Sequence, residues 1–212
     1  MRAFYGPILE HAGASVLAGI GLIFAALAPV PAPAASDMVG RIGAARTFDL
    51  HVSPGCPHCR TVLEGIRGQA GARPFTDGRI AVRVLPVYFT VSEVWADRLA
   101  RCAGERYLDT IGEIMRGQPG WSQTYHRSRG TEFSLDNPGQ LTVLKAIVVD
   151  AGLLSAAEVQ TCLGDQAEMV RLLEAFNARN EALQIHSVPL LIAGDKRIEG
   201  THVLKWMRDQ LK

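Results

Sequence analysis

Apolar and polar side chains alternate through Phe48, Asp49, Leu50, His51 and Val52, the period of two expected of a strand with one buried face, and the run stops at Ser53-Pro54-Gly55. The period then changes. Val62, Leu63 and Ile66 recur at helical spacing until Gly68 and Gly71, and Pro57 stands where a first helical turn tolerates proline. A second strand is predicted over 80–87, rich in β-branched residues and followed by Tyr88 and Phe89. From Ser92, read as an N-cap, to about Gly164 the pattern is helical, with Val94, Trp95 and Leu99 among its apolar positions. Breaks fall at 117–120 and around Asn137-Pro138-Gly139, and Ser155 with Glu158 forms a capping box opening a short helix that leads to Cys162. Another helix is predicted over 166–183 with Val170, Leu172, Leu173 and Phe176, then a strand within 188–195 that ends in a turn, then a last helix over 201–211.

Strands alternating with helices predict an α/β domain, a mainly parallel or mixed sheet covered by helices, over 47–212. The stretch 92–184 is too long for one crossover and reads as a helical insertion between the second and third strands. Before the domain, residues 36–46 read as a short linker. Residues 12–36 carry no charge, and the densest apolar run is 16–27, with Arg2 near the start and small residues after the run. That is the layout of a secretory signal over 1–35, with cleavage expected after Ala34 of Ala32-Pro33-Ala34 or after Ala35. An uncleaved anchor is the alternative, and either reading carries the domain across a membrane.

Composition adds exclusions. With 48% hydrophobic and 20% charged residues the chain is an ordinary globular one, and 22 basic against 21 acidic side chains leave no field that would draw it to nucleic acid. Export alters how the four cysteines are read, because an even number in an oxidising compartment is expected to pair.

Cys56 and Cys59 carry the chemistry. Two thiols separated by two residues, the first at a helix N-terminus, can close a small disulfide ring, and the unpaired N–H groups and the helix dipole favour a thiolate on Cys56. Cys56 is therefore the expected nucleophile, with an exposed sulfur. Cys59, one turn further in and more buried, is placed to resolve a mixed disulfide. Pro57 fixes the turn, and His58 can add a donor or a positive charge beside the sulfur. Each tenfold gain in thiolate is worth about 1.4 kcal/mol and makes the disulfide a better oxidant by about 30 mV. The competing readings are a static disulfide and half of a metal site. Zinc needs about four ligands, no second Cys-x-x-Cys exists, and no metal is expected. His51, His126, His186 and His202 read as surface or satisfied residues, and Trp95, Trp121 and Trp206 as core.

Cys56-Pro57-His58-Cys59 after a strand, in an exported chain, resembles the bacterial DsbA family of periplasmic disulfide oxidases, and Val188-Pro189 resembles the valine and cis-proline of the loop facing that family's disulfide. The resemblance covers roughly 45–212. It implies a thioredoxin-like fold with a helical insertion, disulfide donation to unfolded or extended secreted proteins lying over Cys56 and the Val188–Pro189 loop, and reoxidation by a DsbB-like membrane protein. No cofactor is expected beyond the redox-active disulfide, and a monomer is expected. Cys102 and Cys162 resemble the second, structural bridge of some DsbA-like proteins; a relay pair or free thiols are the alternatives. Two features depart from the family. Leu50 stands six residues before Cys56, where such strands place a buried carboxylate, and Ser53-Pro54-Gly55 replaces the aromatic residues often found before the motif. The rival functions are a reductase or isomerase running the same exchange in reverse, for which 36–46 is too short to be a dimerisation segment, and a non-enzymatic metal-binding protein of the same fold.

Overall fold

The computed structural model describes residues 37–212; the expected signal or anchor lies outside the described residues. No helix among the described residues is long and apolar enough to cross a membrane.

Five strands form one mixed sheet in the order β1-β3-β2-β4-β5. Its centre is β2 (Arg46–Val52), parallel to β3 (Ile80–Pro86) and antiparallel to β4 (Leu190–Ala193). Two edge strands correct the sequence reading. Residues 36–46 are not only linker: β1 (Met38–Gly40) pairs antiparallel with β3 and buries Met38 and Val39. Its last residue must be glycine, because Gly40 has φ +101° and a Cβ there would lie 3.0 Å from the Ile80 carbonyl oxygen. At the other edge, the chain after Gly194-Asp195 does not pass directly into a helix but forms β5 (Lys196–Glu199), hairpinned onto β4. With Ile198 as its one apolar residue, β5 offers no alternation to read.

Helix α1 (Pro57–Arg67) follows β2 and buries Cys59, Val62, Leu63 and Ile66, the spacing read from sequence. After the short α2 (Arg73–Thr76) and β3, the insertion runs through α3 (Val91–Cys102), α4 (Tyr107–Arg116), α5 (Gln118–Trp121), α6 (Gln123–Ser128), α7 (Asn137–Asp150), α8 (Ala156–Gly164) and α9 (Gln166–Leu183), and α10 (His202–Gln210) closes the domain. The residue that caps α3 is Thr90; Ser92 lies inside the helix, its hydroxyl 2.9 Å from that of Thr90. The capping box of Ser155 and Glu158 opens α8. Leu50 and Val52 of β2 join Val62, Leu63 and Ile66 of α1, Val203 and Met207 of α10 and Ile111, Ile114 and Trp121 of the insertion in one core. Trp121 is fully buried, whereas Trp95 and Trp206 are half-buried against this core. Asp97 is the insertion's buried polar tie: it accepts from Tyr88 Oη at 2.6 Å, Tyr107 Oη at 2.7 Å and Arg101 Nε at 2.8 Å. Cys102 at the end of α3 and Cys162 in α8 are joined as a disulfide.

The opposite face of β2 carries Asp49, held by a two-pronged ion pair from Arg83 on β3 (2.8 and 2.7 Å), and His51. His51 departs from its expected surface or satisfied state: it is fully buried, and neither ring nitrogen meets a hydrogen-bonding protein group. A central parallel strand is covered on both faces, so the position that alternation assigns to solvent is enclosed as well. Burial first, and then the positive charge of Arg179 from α9, push the imidazole from 6.5 down to about 4. Well above pH 6.5 the ring is neutral in both the folded and the unfolded chain, and its titration leaves stability unchanged. As pH falls from 6.5 toward 4 the unfolded chain takes up a proton that the fold refuses, so stability declines, by about 3 kcal/mol at pH 4. Urea unfolding across that interval is expected to show His51→Leu losing less stability than the parent chain; equal losses would refute the assignment.

Candidate active site

The end of β2 and the start of α1 build the site. After Val52 the chain turns through Ser53-Pro54-Gly55, closed by Cys56 N–H donating to the Ser53 carbonyl at 3.1 Å. Cys56 is the N-cap of α1, in extended conformation (φ −87°, ψ 121°), and its sulfur accepts from Cys59 N–H at 3.4 Å. The Cys56 sulfur thus occupies the position where helices usually place a serine or aspartate oxygen. Pro57 holds the first turn, where no donor is lost.

The two thiols, both free in this structure, are driven apart electrostatically. Cys56 is lowered from its ordinary value, first by the hydrogen bond from the Cys59 thiol and then, against the cost of burial, by the backbone N–H groups of Cys59 and His58; Glu93 works in the opposite sense. Cys59, with no exposed surface, is raised well above the ordinary thiol value, by burial first and then by its hydrogen bond to Cys56 and the negative charge there. The first proton to leave the reduced pair is therefore that of Cys56.

Cys56 differs from expectation in one respect: the residue is buried, keeping only 7% of its surface, where an exposed sulfur was expected. The Val188–Pro189 loop forms part of that cover. Its peptide bond is cis, and the Val188 carbonyl oxygen lies 3.8 Å from Cys56 Sγ. The structure thus brings Cys56, Cys59, Pro57, Val188 and Pro189 together. His58 contributes through its backbone N–H, while its side chain is exposed. Cys102 and Cys162 belong to the insertion and bond to each other. Among the described residues no three His, Cys, Asp or Glu side chains are grouped so as to hold a metal.

Sequence reasoning missed the clamp that the insertion places on this turn. Gln118 Nε2 donates to the carbonyls of Pro54 (2.8 Å) and Cys56 (3.1 Å), and Ser122 Oγ donates to that of Gly55 (3.0 Å). Glu93, in the first turn of α3, lies fully buried against the same segment. Gly55 is required there, because a Cβ would run into Glu93 Oε1 and stand 2.5 Å from Ser122 Oγ. No local pattern marks these residues. An acid in a first helical turn reads as an ordinary solvated one, and Ser122 shows only as the N-cap of α6.

The fold and site can be set beside known proteins. No curated protein sequence matches the chain. Among solved structures, alpha-DsbA1 of Wolbachia pipientis superposes with a TM-score of 0.65 at 15% identity, over 82% of this chain and 88% of its own. A protein-disulfide isomerase from Novosphingobium aromaticivorans gives 0.65 at 15% identity over 82% and 96%. MdbA, a thiol-disulfide oxidoreductase from Corynebacterium diphtheriae, gives 0.56 at 16% identity over 82% and 85%. At such identity these likenesses speak for the fold: a thioredoxin-like sheet carrying a helical insertion. The thioredoxin family model matches residues 34–212. That span takes in every strand of the sheet, both site cysteines and the proline loop, and the chain belongs to the thioredoxin family.

Proposed function

We propose that this protein is a thiol-disulfide oxidoreductase that donates the Cys56–Cys59 disulfide to secreted client proteins. The observation that carries the reading is the placing of Cys56 Sγ at the helix N-cap, where it accepts from Cys59 N–H at 3.4 Å, with Cys59 fully buried behind it, so that the thiol of Cys56 is lowered and that of Cys59 raised. A reduced form stabilised in this way makes the disulfide form a better oxidant. In the donor cycle a client thiolate attacks Cys56 Sγ, the Cys56–Cys59 bond breaks, and its electron pair leaves on Cys59 Sγ. A second client thiolate then attacks the client sulfur of the mixed disulfide and releases Cys56 as a thiolate. The client's backbone lies beside Val188 and Pro189, whose loop faces the reacting sulfur, and His58 flanks the opening as an exposed donor. A DsbB-like membrane oxidant returns the pair to the disulfide, and the site of action is the periplasm. The solved structures of similar fold that carry thiol-disulfide exchange in their descriptions support the chemistry.

Equilibration of the Cys56–Cys59 pair with glutathione tests the direction. A potential more oxidising than about −180 mV is expected, and a value near thioredoxin's, about −270 mV, would reverse the assignment to a reductase.

A further inference from the structure

Gln118 of α5 is fully buried, and both N–H bonds of its amide go to the turn that carries Cys56, to the Pro54 carbonyl at 2.8 Å and the Cys56 carbonyl at 3.1 Å. Ser122 Oγ reaches the Gly55 carbonyl between them, so three successive carbonyls are bonded from the insertion. Since both near contacts of the amide are carbonyl oxygens, its nitrogen must face them. Its oxygen is left over: Gln118 Oε1 is buried and meets no hydrogen-bonding group among the described residues. An unpaired buried amide oxygen carries a cost that an apolar side chain of the same length would avoid, so packing alone does not account for a glutamine here. The Cys56 carbonyl also accepts from Arg60 N–H at 3.2 Å, the first hydrogen bond of α1, and Gln118 supplies it with a second donor. The amide is aimed from a fixed base, because Trp121 of α5 is fully buried and its Nε1 donates to the Ile114 carbonyl of α4 at 2.9 Å.

We propose that Gln118 is a positioning residue of the exchange site, holding Cys56 in its N-cap conformation while the disulfide is open and thereby setting the potential of the Cys56–Cys59 pair. The inference rests on the exchange reading above but not on its direction. In the oxidised chain the S–S bond itself closes a small ring and fixes Cys56 relative to Cys59. Reduction removes that constraint. Cys56 Sγ then keeps the Cys59 N–H at 3.4 Å only while the residue stays extended at φ −87° and ψ 121°. The amide holds the carbonyls on both sides of Gly55 and so holds that conformation. It also offsets the negative ends of two carbonyl dipoles in the turn that bears the sulfur, which would otherwise oppose a thiolate. Both effects favour the reduced form over the oxidised one, so the insertion makes the disulfide a stronger oxidant from behind the turn.

The test compares wild type with Gln118→Met, which keeps the length of the side chain and removes both donors, and with Gln118→Glu, which keeps its shape. Two properties are measured on each chain: the iodoacetamide midpoint of Cys56 in the reduced form, and the potential of the pair against glutathione. Gln118→Met is expected to hold about tenfold less Cys56 thiolate at a given pH and to be more reducing by the corresponding amount, about 30 mV. Gln118→Glu is expected to shift both properties in the same direction at least as far at neutral pH, since a carboxylate cannot donate and adds a negative charge. A residue that merely fills space would weaken the oxidised and reduced chains alike and leave the potential where it was. A folded variant in which either property is unmoved, or moves the other way, overturns the proposal; should Gln118→Met fail to fold, Gln118→Glu decides. A wild-type Cys56 that titrates like free cysteine overturns the donor reading and this proposal together. A lowered wild-type midpoint that neither variant alters overturns the role of Gln118 alone.

Discussion

Cys56→Ser is expected to lose exchange with a reduced peptide by about a thousandfold or more, while Cys59→Ser is expected to accumulate a stable mixed disulfide through Cys56. The asymmetry follows from position. Cys56 sits at the helix start with N–H groups of Cys59 and His58 aimed at its sulfur, and it is the sulfur next to the Val188 carbonyl at the opening. Cys59 has no exposed surface, and burial holds its proton on. A client can therefore bond only to Cys56, and Cys59 is needed to break that bond again from within. Incubating each reduced variant with an oxidised cysteine peptide and weighing the products by mass spectrometry would check this. Adducts on Cys59 rather than Cys56, or a Cys59→Ser chain that carries no adduct, would remove the assigned order of attack.

The second large effect concerns stability. Replacing Cys102 and Cys162 together by Ser is expected to lower unfolding stability by about 4 kcal/mol, the chain-entropy value for a bridge closing a sequence separation of 60. The bridge ties the end of α3 to α8, and Arg98 adds a hydrogen bond from its Nε to the Cys162 carbonyl at 3.1 Å, so the two helices remain neighbours without it. Exchange at Cys56 should survive the substitution at temperatures where the chain is folded. Denaturant unfolding and dithiothreitol kinetics on the same sample separate the two properties. Exchange that fails while stability is kept would mark the pair as a redox relay.

These expectations differ in how far the sequence could have supplied them. The placing of the two cysteines was legible, because it depends on neighbours along the chain: a strand with period two, a Pro-Gly turn, a cysteine in the N-cap position, a proline at N1 and an apolar stripe of Val62, Leu63 and Ile66. The capping box at Ser155 was legible for the same reason. The two edge strands were not. β1 has three residues and β5 four, and each is a strand only because β3 or β4 supplies hydrogen-bond partners. Alternation along β2 correctly located the buried Leu50 but misjudged His51, because period two reports two faces and does not say whether both are covered.

The site divides along the same line. Sequence alone places Cys56 at a helix start and Cys59 one turn inside it, since capping and dipole effects act within one turn. The folded chain alone decides that Gln118, Ser122 and Glu93, 62, 66 and 37 positions beyond Cys56 in the chain, close around the turn that holds it. The carboxylate buried against that turn is consequently Glu93 and not a residue of β2. Burial is a property of the packed whole. A carboxyl or an imidazole acquires its altered proton affinity from residues that come near only after the insertion has docked, and no window of neighbouring letters contains them.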